Sequence, residues 1–165
     1  MAERDLLLQL FMYNAWANEH YRQVLASVPL EKLKIQTEYG LLLDRIIHIF
    51  ASYEMWFARI HGKSPQSQMN SSNFTSWGEI ESKWKESDQL FIDYLKSVEN
   101  SKLLEKASYT SLDGKNYTRV VRDILLHLIQ HPTYHRGQIS AILKERGIAK
   151  MPGTDMVVFV KPETH

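Results

Sequence analysis

Three histidines recur at intervals of four residues in one stretch of the chain. They are His127, His131 and His135 in the segment HLIQHPTYH. An ideal α-helix advances about 100° per residue, so side chains four residues apart lie on the same side. Two imidazoles at this spacing can bind one metal ion, as they do in zinc-binding helices. The same spacing also fits packed or solvated histidines, and both interpretations stay open at this point.

His48 is the candidate for a third ligand, which a tetrahedral site normally requires. It lies between Ile47 and Ile49 in an earlier segment of helical period. On an ideal helical wheel it falls well away from the apolar face, which favours an ordinary surface histidine. The alternative is a ligand that faces a groove at the edge of a helical bundle.

Three neutral histidines would leave a fourth coordination position for water or substrate. A divalent ion in such a site lowers the pKa of a bound water or thiol and acts as a Lewis acid. The glutamate of the HExxH metalloproteases is absent here, so peptide hydrolysis by that mechanism is not expected. Three imidazoles suit Zn, Ni, Fe or Cu, and we expect Zn or Ni.

Composition narrows the class of protein. The chain has 165 residues, 44% hydrophobic and 24% charged, with a formal net charge of +1, which predicts one globular domain over residues 1–165. It contains no cysteine, so disulfides and cysteine-bound metals are excluded. Lysine and arginine are scattered, which argues against nucleic acid as a partner. No apolar stretch is long enough for a bilayer and no signal peptide is recognisable, so we expect a cytoplasmic protein.

Hydrophobic periodicity predicts four long helices and an all-α fold. The predicted helices cover about residues 2–27, 40–61, 76–99 and 118–146. Ser76 and Glu79 predict a capping box, and Gly62 and Gly147 predict helix stops. Asp113-Gly114 predicts a tight hairpin within residues 108–117, and residues 61–75 form a polar, irregular linker. Four amphipathic helices with short connections predict a four-helix bundle.

Pro132 interrupts the helix that carries the histidines. It has no N–H and frees the carbonyl group of Leu128, which costs about 3 kcal/mol or more in a helix interior. A local bulge that aims His131 and a simple bend around the core are equally good explanations.

Four further residues have open roles. Arg136 is expected to form an ion pair between helices or subunits, in preference to binding substrate. Gly137 is expected to permit a close approach of helices. Gln138 fits either a hydrogen bond to a ligand imidazole or a packing role. Asp44, one turn before His48, either orients that imidazole or is a solvated carboxylate.

Three segments together resemble the DinB family, the DinB/YfiT-like proteins and not the similarly named DNA polymerase. They are YNAWAN at residues 13–18, DRIIHI at residues 44–49 followed by Trp56, and HPTYHRGQI at residues 131–139. The H-x-x-x-H-R-G-Q run is the most specific of them. Asp113-Gly114, Pro152 and Asp155 also match, and the resemblance covers nearly the entire chain.

The resemblance implies a four-helix bundle, often a homodimer, with a divalent metal ion held by three histidines. Carried over position by position, the ligands are His48, His131 and His135. His127 matches a common family position that is not a ligand. The family includes enzymes that transfer low-molecular-weight thiols, such as bacillithiol or mycothiol, to electrophiles. It also includes many members without an assigned activity.

Four hypotheses about function follow. The leading one is a metal-dependent transferase that joins a low-molecular-weight thiol to an electrophile. The second is a metal-dependent hydrolase of a small amide or ester, against which the absence of an obvious general base counts. The third is a stress-related metal-containing bundle that binds a ligand without turnover. The fourth is a bundle whose histidines hold no metal.

Overall fold

The computed structural model describes residues 3–160. The predicted helix start at residue 2 and the last five residues of the predicted domain therefore lie outside the described part of the chain. In chain order the elements are α1 (Glu3–Ala26), α2 (Leu30–Leu33), β1 (Gln36–Thr37), β2 (Gly40–Leu41), α3 (Leu42–Ile60), α4 (Trp77–Ser97), β3 (Lys106–Thr110), β4 (Asn116–Val120), α5 (Val121–Glu145) and α6 (Met156–Phe159). Short 3₁₀ turns occupy Ser71–Asn73 and Asn100–Leu104.

The predicted all-α fold with four long helices is confirmed, and the helices are α1, α3, α4 and α5. The predicted hairpin is also present: β3 pairs antiparallel with β4. β4 extends to Val120, so α5 begins three residues later than predicted. At the start of α4, Ser76 Oγ accepts a hydrogen bond from Glu79 N, but the Glu79 carboxylate accepts from Thr75 N rather than from Ser76. The Glu79 carboxylate therefore caps the residue before the one that a capping box requires.

The long helices do not follow one another around the bundle. α1 and α3 each pack against both α4 and α5, so α1 and α3 are diagonal to one another. Phe50 stacks on Trp84 and Phe57 contacts Phe91, which makes α3 and α4 parallel. The connection from α3 to α4 must therefore return along the whole bundle. The polar linker predicted over residues 61–75 is this connection.

Residues 61–76 make that return along the outside of α3. Gln68 Nε2 donates to Ser52 Oγ at 3.3 Å, and the backbone N–H of Ser71 donates to Asp44 Oδ1 at 2.7 Å. The segment thus runs antiparallel to α3 and covers the side of this helix that a four-helix bundle alone would leave open. Its polar composition fits this position at the surface.

The core has two apolar clusters with a buried polar network beside them. One cluster centres on Ile46, Phe50 and Trp84, and the other on Phe11 and Phe91. The network consists of side chains from α1, α4 and α5: Asn14, Asn18, Arg22, Asp88 and Arg136.

Arg136 joins α5 to α1 within this network. Its Nη1 donates to Asn18 Oδ1 at 2.8 Å and its Nη2 donates to Asn14 Oδ1 at 3.1 Å. Asn18 Nδ2 in turn donates to Asp88, which forms an ion pair with Arg22 at 2.5 Å. The expected contact between helices is present. Within residues 3–160 the guanidinium donates to the neutral side chains of Asn14, Asn18 and Thr133, so the predicted ion pair between helices is not found there. Asn18 therefore bridges the Asp88 carboxylate and the Arg136 guanidinium.

Two glycines of α5 and its end have different roles. Gly147 has φ +62° and ends the helix as predicted. Gly137 is exposed, and a Cβ atom at this position would meet no atom within 4 Å. The prediction that Gly137 permits a close approach of helices is therefore not supported within the described chain.

No helix within residues 3–160 combines the length and the apolarity that crossing a bilayer requires.

Candidate metal centre

His48, His131 and His135, the three candidate metal ligands, meet in the groove between α3 and α5. These helices are antiparallel, because Arg45 contacts Gln138 while Trp56, eleven residues later, contacts His127. His131 Nε2 lies 3.0 Å from His48 Nε2 and 3.1 Å from His135 Nε2. One nitrogen from each ring therefore points toward a common position.

The distances of 3.0 and 3.1 Å from His131 Nε2 to the other two nitrogens are close to the spacing in a metal site. A tetrahedral ion with bonds of about 2.0–2.1 Å to imidazole keeps its ligand nitrogens about 3.3 Å apart. The ligand atoms of the three residues all lie within 4.8 Å of one another. Two neutral imidazoles can share a proton in a hydrogen bond, but three Nε2 atoms around one point cannot all be satisfied in that way. A cation satisfies all three lone pairs at once.

The protonation state of His135 is fixed by its neighbours. Arg45 Nη1 donates to Gln138 Oε1 at 2.9 Å, and arginine has no acceptor, so this atom of the amide must be the oxygen. The same oxygen lies 2.9 Å from His135 Nδ1, which must then carry the proton. His135 Nε2 is left with its lone pair directed at the centre. Gln138, whose role the sequence left open, thus binds a candidate ligand.

Burial keeps the three imidazoles neutral. The pKa of His131 falls to about 3, first because burial disfavours its charged form and then because His135 and His48 lie close to it. Burial also lowers the pKa of His135 to about 4, although the hydrogen bond with Gln138 opposes this. The pKa of His48 is lowered by burial too, and a hydrogen bond with Gln68 partly offsets the change. Neutral imidazoles are the form that binds metal ions.

His48 is half-buried, unlike the surface histidine that the helical wheel favoured. Its neighbours on the wheel, Ser52, Met55 and Arg59, are also buried. The wheel was misleading because it counts only the contacts of a helix in a bundle. The returning segment 61–76 and strand β3 cover this second side of α3.

The remaining predicted residues lie around the centre without joining it. Asp44 accepts the hydrogen bond from Ser71 and holds the returning segment, rather than orienting His48. The ring of His127 is 5.3 Å from that of His131 and packs against Trp56. Pro132 is buried inside α5, which continues through it, and Asn14 Nδ2 donates to the carbonyl oxygen of Ile129 in the adjoining turn.

A cavity of about 340 Å³ opens on one side of the centre, and both His48 and His135 line it. Its other walls come from the β1–β2 hairpin and the first turn of α3: Tyr39, Gly40, Leu41, Asp44 and Arg45. The Arg45 guanidinium stacks on the Tyr39 ring at 5.1 Å. Arg45, Tyr39 and Gln68 were not recognised from the sequence as part of the site. Arg45 is part of the DRIIHI segment, but nothing in its spacing distinguished it from a solvated arginine.

The fold and this site define a class of protein. It is a four-helix bundle in which α1 lies diagonal to α3, with a three-histidine cluster between the antiparallel helices α3 and α5. The DinB family model matches residues 1–164, and the chain belongs to the DinB family. It is 24% identical to the protein DinB of Bacillus subtilis strain 168 over 155 residues, which cover 90% of each chain.

Two solved structures share this fold. A DinB-like protein of Bacillus cereus ATCC 10987 aligns with a TM-score of 0.68 and 20% identity, over 89% of this chain and 94% of the other. YfiT of Bacillus subtilis aligns with a TM-score of 0.66 and 13% identity, over 90% and 91%. YfiT is described as a probable metal-dependent hydrolase with an unusual four-helix bundle topology. At these identities the likeness establishes the fold alone.

Proposed function

We propose that this protein is a metal-dependent enzyme that transfers a low-molecular-weight thiol to an electrophile. His48, His131 and His135 are its proposed metal ligands, and Zn or Ni is the proposed ion. One observation carries the proposal: His131 Nε2 lies 3.0–3.1 Å from the Nε2 atoms of His48 and His135, beside a cavity that two of the three rings line.

The chemistry of the centre follows from its donors. Three neutral ligands leave the positive charge of a divalent ion uncompensated, and such an ion lowers the pKa of a thiol or water that binds to it. A thiol activated in this way needs no side chain as a base. This matches the surroundings of the cluster, where the polar neighbours are Gln138, Gln68 and Ser52 rather than carboxylates in direct contact.

The side chains of the cavity would bind and orient the substrates. Gln138 and Arg45 hold His135 in one tautomer, so the geometry of the site is present before substrate arrives. Arg45 and Tyr39 form a wall with one fixed positive charge, and Asp44 supplies a carboxylate to the same cavity, so the lining offers one group of each sign for orienting a polar substrate.

A metal-dependent hydrolase of a small amide or ester is the second candidate. It is favoured by Asp44, whose carboxylate lines the same cavity as His48 and could accept a proton. The description of YfiT as a probable metal-dependent hydrolase points the same way. Against it, Asp44 already accepts the hydrogen bond from Ser71 N. A stress-related binding protein without turnover is the third candidate.

We also propose that the protein is a cytoplasmic homodimer that acts on small molecules and not on nucleic acid or membranes. Leu6 and Met12 of α1 are 47% and 45% exposed, and Leu126 of the adjacent α5 is 42% exposed. The proposed contact with a second copy would cover these apolar side chains. Sedimentation equilibrium of the purified protein tests this part.

The functional proposal is tested on protein purified without an affinity tag. We expect one divalent ion per chain, its loss in His131→Ala, and a change in the visible spectrum of cobalt-substituted protein when a thiol is added. Transfer of the thiol to an electrophile supports the first candidate. Turnover of amides or esters without thiol binding would replace it with the second. Metal without turnover on either panel would favour the third, and absence of metal would overturn all three.

A further inference from the structure

A second cavity, of about 380 Å³, lies in the same α3–α5 groove on the other side of the histidines. Trp56, Tyr109 and His127 form its aromatic walls, and Ile124 is its apolar floor. The Trp56 ring meets the Tyr109 ring edge to face at 5.1 Å and the His127 ring at 5.7 Å. The His127 ring also lies 5.3 Å from that of His131, so this cavity adjoins the candidate metal centre.

A buried cation, the guanidinium of Arg59, contacts the rings of both Trp56 and Tyr109. Arg59 is only 7% exposed, and its guanidinium carbon lies 4.6 Å from the Trp56 ring centre and 4.4 Å from that of Tyr109. Its Nε has no hydrogen-bond partner within residues 3–160. A guanidinium between two rings attracts both and fixes their relative position. Trp56 and Tyr109 therefore form a preformed surface rather than two mobile side chains.

The mouth of the cavity carries a cation, Arg119, and a carboxylate, Asp123. Arg119 and Asp123 both line it, but Asp123 accepts a hydrogen bond from Arg122 at 3.2 Å. Arg119 stacks on Tyr117 at 5.4 Å and takes part in no salt bridge within the described chain. A ligand with a flat apolar group inside and a negative charge outside would match both the walls and the mouth.

We propose that this cavity is a binding subsite for an aromatic group with a carboxylate or similar anion, belonging to the molecule that reacts at the histidine centre. The inference rests on the proposed function for its link to a reaction, but not for the binding itself. It assigns the β3–β4 hairpin a role in choosing the substrate, because the hairpin supplies both Tyr109 and Arg119.

The test uses chelator-treated protein and two probes that share one ring system and carry opposite charges, 2-naphthoate and 2-naphthylmethylammonium. The chain has four tryptophans, so an amide correlation spectrum shows few indole N–H signals, and Trp56→Phe assigns that of Trp56. We expect naphthoate to shift the Trp56 signal at millimolar concentration and leave that of the fully buried Trp84 in place. The ammonium probe should bind at least five-fold more weakly.

Two variants and a control complete the experiment. His127→Ala and Arg119→Gln should each weaken naphthoate binding five-fold or more. Gln130→Ala, an exposed change on the same helix, should leave the binding unchanged. The wild-type spectrum decides the matter even if a variant fails to fold.

An unmoved Trp56 signal, or equal binding of the two probes, overturns the subsite. Since the titration contains no metal, a failure of the subsite with intact metal binding and thiol transfer is distinct from a failure of the proposed function.

Discussion

Gln138 accepts a hydrogen bond from Nδ1 of His135 at 2.9 Å, and this contact sets the direction of the imidazole lone pair at the candidate metal centre. The amide oxygen receives a second hydrogen bond from Arg45 on the facing helix. The two helices that carry the cluster are thus joined directly behind one of its members. An ion bound at the centre would meet a ring that is already in the correct tautomer and orientation.

Gln138→Ala should therefore lower the affinity for a divalent ion. Loss of an outer partner of this kind typically costs about 10–100-fold in metal affinity, because the ring then samples the other tautomer and other orientations. Competition with a chromophoric chelator measures the change. Gln130→Ala, which is exposed on the same helix, is the matched control. Equal affinities of the two variants would contradict a role for Gln138 at the centre.

Metal-free protein should lose stability as the pH falls from 7 toward 4. The pKa values of His131 and His135 are about 3 and about 4 in the folded chain, against 6.5 ordinarily, because both rings are buried close together. Between these values and 6.5 the unfolded chain holds protons that the folded chain lacks, so the free energy of unfolding rises with pH there. Each histidine contributes up to about 1.4 kcal/mol per pH unit in this window.

Thermal denaturation of chelator-treated protein at a series of pH values measures this slope. The double variant with His131→Asn and His135→Asn should show a flatter dependence over the same range. A slope that is equal in the two proteins would mean that these rings are not the cause.

Asp88→Asn should destabilise the fold by about 1–3 kcal/mol, because it removes the buried carboxylate that Arg22 contacts and leaves only the more exposed Glu19 as its negative partner. Burial raises the pKa of Asp88 to about 6, so urea denaturation at pH 8 compares the variant with the ionised carboxylate. Asp93→Asn on the same helix is the control, since the Asp93 side chain is 63% exposed and its loss should cost less than about 0.5 kcal/mol. Similar costs for the two variants would show that the buried network is not important for stability.

Gly137→Ala should stabilise the protein by about 0.5–1 kcal/mol. Glycine weakens a helix interior relative to alanine, and a Cβ atom at this position has free space around it. Gly147→Ala should have the opposite effect, because the φ angle of +62° there is unfavourable for any residue with a Cβ atom. Urea denaturation of both variants at low protein concentration measures the difference. A destabilising Gly137→Ala would indicate a contact at this position that the single chain does not show.

The sequence predicted the four helices and the three clustered histidines, but not how the helices are connected in space. Periodicity identifies an apolar face and says nothing about which helix lies against it. The parallel arrangement of α3 and α4 therefore had no counterpart in the pattern, although the long polar linker between them was consistent with it. The bias against His48 had the same origin, because the wheel ignored what covers the second side of α3.

The sequence indicated that certain polar residues would join helices, but not which residues would be their partners. Arg136 was expected to join helices, and it does, but the asparagines of the YNAWAN segment could not be recognised as its partners before α1 was placed beside α5. Gly137 is the opposite case, in which the sequence suggested a contact that the described chain does not show. A glycine beside a functional motif suggested a close contact, yet only the orientation of the helix reveals that the position faces solvent.

Residues 61–76 cover the outer side of α3, the helix that bears His48, while α4 and α5 pack against its other sides. Met69 and Phe74 of this segment pack against the core, and Gln68 hydrogen-bonds Ser52, one turn after His48. Exchanges at its exposed positions, such as Gln66 and Ser67, should cost little stability, whereas exchanges at Met69 or Phe74 should weaken the core. Within residues 3–160 the segment thus supports the helix that bears His48 without lining either cavity beside the histidines.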